Sequence, residues 1–469
     1  MWILPMLGLL AVGVEPEMTW PSFLGQGRDP ATSLAIPLHW AGKQAERAAL
    51  HVAWSVPLLG YGQSSPVIWG DRVFVTTVEG PLKDRYYVSC LQLQAGTLLW
   101  RYELKNSAPV ENSTFVSRAA PTPVVDGEAV YAFFESGDVI ALSHAGELRW
   151  QTCLSERYGA FDNKYGLAAS PVADATRLFL LVDHLGPSYV LAIDKRTGEV
   201  IWKQARTARS SWTSPVILPV TGGQQLLCSS AGSIDAYELE SGNLLWSYTE
   251  VGGNRICTPC VFGEGKFLIG SQTSREYADT ERVRQSNFAM RVVRAEEAWK
   301  PEVLWRAENA MPAMASPMVH GKYAYWINRV GVVSCFDLED GREYYSQRTK
   351  QLCWATPIAD GNRIFFFGKD GVTTVLAAGP SFELLAENTL FESRSEPAPE
   401  PASKPAPEPA PEPAATGSGA ARVAGDRARA IAAAMHAGPE VCGVAAVRGS
   451  LLIRTGSQLV CIRAAQPGP

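Results

Sequence analysis

The sequence predicts an all-β chain folded as an eight-bladed β-propeller of four-stranded blades, closed by an N-terminal strand that pairs into the last blade. Three observations predict it. A Ser/Thr-Pro pair followed by two short apolar strands recurs along the chain. Most units end on a Gly-x-x-x-Trp segment. The last unit is one strand short, while the first strand of the chain belongs to no complete unit.

The Ser/Thr-Pro pairs are Ser65-Pro66, Thr122-Pro123, Ser170-Pro171, Ser214-Pro215, Thr258-Pro259, Ser316-Pro317 and Thr356-Pro357. Each leads into apolar residues alternating by two, broken by a turn such as Gly70-Asp71, Asp126-Gly127 or Asp360-Gly361. That pattern reads as a β-hairpin. A third and fourth strand follow around Gly96–Trp100, Gly146–Trp150, Gly198–Trp202 and Gly242–Trp246. Trp305 holds the same place without the glycine, Tyr345 replaces Trp after Gly341, and the seventh unit is degenerate at Phe382-Glu383-Leu384-Leu385. Four short strands per unit, repeated many times, is the signature of a radial propeller. A helical solenoid would show a 3.6-residue period instead.

Trp54, Trp100, Trp150, Trp202, Trp246 and Trp305 are therefore expected to pack between neighbouring sheets as structural residues. Cys90, Ala192, Ala236 and Cys335 each precede their turn glycine by the same interval, so this position calls for a small buried side chain. The eighth unit, from Val444 to Ile462, supplies three strands. His51–Val56 carries Trp54 and is expected to supply the fourth, which removes the exposed sheet edges.

The domain plan follows. Residues 1–14 form an apolar run with the length of a signal-peptide core, too short to span a bilayer. Residues 15–50 are an entry segment, 51–392 hold the closing strand and blades 1–7, and 438–465 hold the last blade. Residues 393–437 are a Pro/Ala/Glu-rich insertion with a short Ala/Arg-rich helix, a composition that builds no core. A milder insertion, Ser274–Lys300, is expected to interrupt the fifth blade.

With 19% charged residues and a formal net charge of -5, the chain offers no basic surface for nucleic acid. It has no transmembrane segment and fixes no oligomeric state. Its nine cysteines are spread along the whole chain, unlike a disulfide-stapled module. Cys257 and Cys260 lie in a strand-forming unit with no second Cys or His pair nearby, so a structural role is expected.

Ala192-Ile193-Asp194-Lys195-Arg196-Thr197-Gly198-Glu199-Val200-Ile201-Trp202 resembles the docking motif of pyrroloquinoline-quinone (PQQ) repeat propellers, and Ala236–Trp246 is a looser copy. The segment Trp20–Gly27 resembles the entry of exported PQQ-like repeat proteins of bacteria, notably planctomycetes. That family includes quinoprotein dehydrogenases and assembly scaffolds of the BamB type, so the resemblance implies a fold and not a cofactor. Quinoprotein dehydrogenases carry adjacent cysteines, a calcium site and a catalytic Asp. No Cys-Cys pair and no matching carboxylate cluster occurs here, so no catalytic, cofactor-binding or metal residue is assigned and no cofactor is expected.

Loops entering the innermost strands of a propeller gather at one channel mouth. Here they carry Gln63, Arg118, Asn163, Trp212, Arg255 and Trp354, a mixture of amide, guanidinium and indole groups suited to a protein or envelope polymer. The expected function is a non-catalytic binding or assembly scaffold, exported to the periplasm or cell envelope. The alternative is a PQQ-dependent oxidoreductase.

Overall fold

The computed structural model describes residues 15, 18–25, 33–43, 48–112, 116–273, 280–312, 314–328, 330–349, 351–391 and 440–464. The apolar run 1–14 and the insertion 393–437 with its expected helix lie outside the described residues. Eight antiparallel sheets form the blades of a propeller, and two short helices, Leu154–Tyr158 and Thr280–Gln285, sit in connecting loops. No helix among the described residues is long and apolar enough to cross a membrane.

The ring closes between the two ends of the chain. Val52–Pro57 is the outer strand of the sheet whose other strands are Gln458–Ile462, Ser450–Thr455 and Val441–Val447. The register places Trp54 opposite Cys461 and Ser55 opposite Val460. The same small-residue-to-aromatic pairing recurs around the ring: Cys90 with Trp100, Ala141 with Trp150, Ala192 with Trp202, Ala236 with Trp246, Ala289 with Trp305 and Cys335 with Tyr345. The small residue on the third strand is small because an aromatic side chain stands directly across from it on the fourth. Burial pushes the thiols of Cys90 and Cys335 up to about 12, so both remain protonated core atoms.

Each docking tryptophan except Trp246 bridges to the next blade in two ways. Its ring lies where a side chain on the neighbouring turn glycine would stand. A Cβ on Gly198 would lie 2.6 Å from Trp150, and Gly198 has a φ of 77°. Its indole Nε1 donates to a carbonyl beside that turn: Trp54 to Leu93 (2.9 Å), Trp100 to His144 (2.9 Å), Trp150 to Lys195 (2.7 Å), Trp202 to Leu239 (3.0 Å) and Trp305 to Leu338 (3.1 Å). Asp194 shapes one such turn. Its carboxylate accepts the N–H groups of Arg196 (2.9 Å) and Thr197 (2.8 Å), which is why the motif reads Asp-x-x-Thr-Gly.

Trp246 departs from the pattern because the fifth blade has no turn glycine. Its outer hairpin runs Phe288–Ala295 and Ala298–Arg306, and Trp246 Nε1 donates to Gln225 of its own blade (2.8 Å). This also corrects the expected insertion Ser274–Lys300. From Phe288 onward, that stretch is the third and fourth strands of the blade. The length was misread because a long hairpin without a glycine turn carries no repeat signal.

The Ser/Thr-Pro pairs form a hydroxyl chain around the channel. The backbone N–H of each of the first six Ser or Thr donates to the hydroxyl of the next blade: Ser65 to Thr122 (2.9 Å), Thr122 to Ser170 (2.9 Å), Ser170 to Ser214 (2.9 Å), Ser214 to Thr258 (2.9 Å), Thr258 to Ser316 (3.0 Å) and Ser316 to Thr356 (3.3 Å). In the eighth blade, Ala445 pairs with Leu452 as Val67 pairs with Phe74, so Gly443-Val444 stands where the other blades have Ser/Thr-Pro. Gly443 is forced by contact: a Cβ there would lie 2.5 Å from the Ser65 Cα.

The entry segment is part of the fold. Thr19–Trp20 adds a fifth strand inside the first blade, pairing with Trp69 and Ile68. Pro21 accepts the Val125 N–H of the second blade (2.9 Å), and Ser22, Phe23 and Leu24 lie against Val172, Ser214 and Thr258 of the third to fifth. The segment thus crosses the channel. From Ser33 it runs over the junction of blades 7 and 8. The Asp360 carboxylate accepts the N–H groups of Leu34 (2.5 Å) and Ile36 (2.9 Å), and Asn388 accepts from Trp40 (2.9 Å) and donates to Leu38 (3.0 Å). Trp40 is buried and stacks on Phe365 at 6.0 Å. The degenerate seventh blade has Ala386 where a docking tryptophan would be, paired with Val375. Trp40 fills this junction from a distant part of the chain, in one apolar cluster with Ala386, Val447 and Leu451.

Candidate binding face of the disc

The disc has two faces. On the loop face lie the loops that enter the innermost strands and those that join second to third strands. On the turn face lie the turns that join first to second and third to fourth strands. All six residues picked from sequence lie in loop-face segments.

The loops of neighbouring blades are tied together. Gln63 N–H donates to Arg118 O (3.0 Å), and Arg118 N–H donates to Gln63 Oε1 (2.9 Å). The Gln63 side chain is thus spent on positioning Arg118. Ser117 N–H reaches Tyr165 O (2.7 Å), Trp212 Nε1 reaches Gly166 O (2.8 Å), and Trp212 N–H reaches Arg255 O (2.7 Å). Asn163 heads the turn that presents Tyr165, its Oδ1 accepting the Tyr165 N–H (3.1 Å).

These loops seat cations on aromatic rings, and one of those cations, Arg255, is buried at 6% exposure. The Arg118 guanidinium lies 3.4 Å from the centre of Tyr61, and that of Arg255 lies 5.1 Å from Trp212. Lys369 Nζ lies 4.8 Å from Trp354, and Lys164 Nζ lies 5.5 Å from Tyr165. Tyr165 in turn meets Trp212 edge-on at 5.8 Å. A cation over an aromatic face contributes about 0.5–1 kcal/mol when exposed and more when desolvated. Here it also holds long side chains in one orientation.

The structure therefore brings together Gln63 with Arg118, and Asn163 with Trp212 and Arg255 through Tyr165. Trp354 stands apart from both groups, with Lys369. Sequence reasoning missed Tyr61, Tyr165 and Lys369. Tyr61 and Tyr165 precede a Ser/Thr-Pro pair by a few residues, which could have marked them. Lys369 comes from a loop between second and third strands and has no repeat signal.

Buried polar groups fix these loops. Lys83 Nζ and Glu135 Oε1 are 3.0 Å apart with side chains 1% and 2% exposed, and Lys83 also donates to Ser117 O. Both Glu135 oxygens accept the Ala119 N–H (3.1 Å each), which locks the segment carrying Arg118. Burial pushes the Glu135 carboxyl up, against the pull of Lys83 and these N–H groups. Asn254, fully buried, donates to Ser229 (3.0 Å), Ser230 (2.7 Å) and Ser233 (2.9 Å) and so anchors the loop carrying Arg255. Lys369 is 3.1 Å from the buried Glu440. Arg454 reaches the Ser64 carbonyl (2.8 Å) between the last and first blades, and burial pulls its guanidinium down to about 10.

A quinone with its calcium, as in quinoproteins, requires converging hard ligands. Among the described residues no three His, Cys, Asp or Glu side chains converge in that way. The cysteines are free, and burial raises Cys257 to about 12 and Cys260 to about 11. The channel beside the hydroxyl chain holds Phe23 and Leu24. The described residues do not fit that group.

Comparison with known proteins agrees with this architecture. The family model described as outer membrane protein assembly factor BamB matches residues 45–181, 159–275 and 289–390. BamB of Salmonella typhimurium is 23% identical over 198 residues, 42% of this chain and 46% of that protein. BamB of Alkalilimnicola ehrlichii is 26% identical over 192 residues, 40% of this chain and 44% of that one. A polyvinylalcohol dehydrogenase of Pseudomonas sp. is 21% identical over 284 residues, 47% of this chain and 42% of that one. The chain spans about half the length of the curated relatives it matches. Among solved structures, BamB from Moraxella catarrhalis superposes with a TM-score of 0.55 at 12% identity, covering 89% of this chain and 99% of that one. Quinohemoprotein alcohol dehydrogenase from Comamonas testosteroni gives a TM-score of 0.53 at 11% identity, covering 97% and 82%. Likenesses at that identity show the fold alone. The family model, matched through most of the ring, shows more: the chain belongs to the family of the outer membrane protein assembly factor BamB.

Proposed function

We propose that this chain is a non-catalytic binding or assembly scaffold of the cell envelope, holding a protein or envelope polymer on the loop face of its disc. The observation that carries the reading is the set of cation–aromatic pairs at Arg118, Arg255 and Trp354, set on loops that buried polar groups hold in place. Arginine and tryptophan dominate binding energy at protein interfaces because they combine area with directional bonding. The BamB relatives, named as outer membrane assembly factors, support an envelope location. The contact residues are Arg118, Trp212, Arg255 and Trp354, while Gln63 and Asn163 position them.

The test is replacement of those four contact residues by alanine, followed by crosslinking in envelope fractions. The wild type should capture a defined partner, and the quadruple variant, with unchanged far-UV circular dichroism, should lose it. A partner retained by the variant rejects the reading. So does dye-linked alcohol oxidation after reconstitution with PQQ and calcium.

A further inference from the structure

The insertion between the last two blades is tethered to the loop face by the residues on both sides of it. Before it, Leu390 N–H donates to Gly371 O (3.0 Å), and Phe391 fills the space where a Cβ on Gly371 would stand. After it, Val441 N–H donates to Lys369 O (2.9 Å), and the buried Glu440 lies 3.1 Å from Lys369 Nζ. Both flanks are thus pinned to one loop, residues 368–371, which joins the second and third strands of the seventh blade.

That loop is a corner of the cation–aromatic surface. Lys369 Nζ lies 4.8 Å from Trp354, while Tyr61, which seats Arg118 at 3.4 Å, donates its hydroxyl to Glu440 (3.4 Å). The charges of Arg454, Glu440, Arg118 and Lys369 all reach the thiol of Cys442, so the corner sets three cations against one carboxylate among these groups. Arg118 Nε is buried without a hydrogen-bond partner. Arg454 is buried on the carbonyl and hydroxyl oxygens of Ser64 and the carbonyl of Thr76, with no carboxylate among them. Asp370, next in the loop, accepts the Val372 N–H (3.2 Å) within that loop. Negative charge is what the corner lacks.

The insertion carries it. Residues 396–415 read as five units, Glu-Pro-Ala-Pro, Glu-Pro-Ala-Ser, Lys-Pro-Ala-Pro, Glu-Pro-Ala-Pro and Glu-Pro-Ala-Ala. Glu396, Glu400, Glu408 and Glu412 outnumber the one Lys404. Proline-rich chains favour the polyproline II helix, which loses little entropy on binding and docks in grooves lined by aromatic side chains. At ~3.1 Å per residue such a segment reaches about 60 Å. Tethering makes its docking intramolecular, at an effective concentration on the order of millimolar, so weak individual contacts suffice.

We propose that the corner formed by Tyr61, Arg118, Trp354 and Lys369 is the docking site of the chain's own acidic, proline-rich segment 396–415, its glutamates meeting the cations and its prolines the aromatic rings. Resting on the loop face as the binding surface, this gives the scaffold an internal ligand with which an outside partner competes.

The experiment uses the purified full chain with the photo-crosslinker p-benzoylphenylalanine in place of Ala406, illuminated and then digested for mass spectrometry. Photoadducts should form within one chain, on peptides that carry Tyr61, Arg118 or Trp354. The combined variant Glu396→Gln, Glu400→Gln, Glu408→Gln and Glu412→Gln keeps every proline and should cut that yield by about fivefold or more. Arg118→Ala should do the same, and the glutamine variant keeps the test decisive should Arg118→Ala fail to fold. Lys322→Ala, on the turn face, should leave the yield unchanged. No partner is present in this assay. Absence of the adduct therefore rejects the internal ligand and leaves partner capture standing, whereas failed capture with the adduct intact rejects the scaffold reading alone. Adducts on the turn face or scattered over the surface overturn the proposal. So do adducts joining two chains, which indicate a second copy as occupant, and a yield indifferent to the glutamine variant.

Discussion

Replacing Trp40 tests whether the entry segment supplies the docking residue that the seventh blade lacks. Trp40 is 2% exposed and lies between Phe365 and the apolar residues of the last blade. Truncation of a buried tryptophan to alanine costs about 3–5 kcal/mol, a large part of the ~5–15 kcal/mol that holds a typical domain together. Trp40→Ala should therefore lower the urea midpoint as strongly as Trp150→Ala does. The phenylalanine variants separate the two sites. Trp150 Nε1 donates to Lys195 O at 2.7 Å, whereas Trp40 Nε1 is buried without a partner. Trp150→Phe loses a bond of about 1 kcal/mol and orphans a carbonyl, while Trp40→Phe removes an unsatisfied N–H whose burial costs about 1–3 kcal/mol. The lost ring area is similar in both, so Trp150→Phe should be the costlier by roughly 2–4 kcal/mol. The assay is urea unfolding followed by circular dichroism, comparing midpoints at constant slope. A Trp40→Ala midpoint equal to wild type would refute the reasoning, as would Trp40→Phe costing more than Trp150→Phe.

Two further predictions concern the blade junctions. Gly198→Ala places a Cβ 2.6 Å from Trp150 at a φ of 77°. The left-handed backbone alone costs about 1–2 kcal/mol for an L-residue, and the displaced indole adds to it. The urea midpoint should fall clearly, whereas Gly222→Ala, whose Cβ would meet nothing, should show only the backbone part. Asp126 links the second and third blades through Lys195 at 2.7 Å. Burial works against its ionised form, but the Lys195 ammonium and the N–H groups of Glu128 and Ala129 outweigh it and hold the carboxyl below its usual value. A lowered folded-state pKa contributes stability above the unfolded value of about 3.9 and loses it as pH falls through the folded value. Asp126→Asn should therefore lower the thermal midpoint near pH 7 and flatten its decline below about pH 4. A variant curve parallel to wild type through that acid range would exclude the linkage.

The sequence alone determined the blade, and with it the ring. The small residue of the third strand, the turn glycine and the tryptophan of the fourth lie within a dozen residues, as at Ala192, Gly198 and Trp202. Local geometry repeats them in most units, so the period is legible without knowing which units touch. The unpaired strand at Trp54 and the short last unit likewise implied closure, because an open sheet edge beside an incomplete sheet has one economical partner. The Ser/Thr-Pro pairs were legible as punctuation, but their role as a hydroxyl chain from blade to blade required the ring itself.

Tertiary structure alone decided what depends on distant segments meeting. Trp40 reads as an ordinary tryptophan of a loop, since its partners Phe365 and Asn388 lie more than 300 residues away. Lys83 and Arg454 read as surface cations until the structure places them, buried, between blades. At the candidate site, the loop positions of Arg118 and Trp212 were legible from the repeat. The cation–aromatic pairing was not, because it joins residues of different loops: Tyr61 beneath Arg118, and Lys369 beside Trp354. Periodicity encodes which residues each blade buries against its neighbours. Side-chain chemistry assembled across blades has no period, so only the closed ring brings it together.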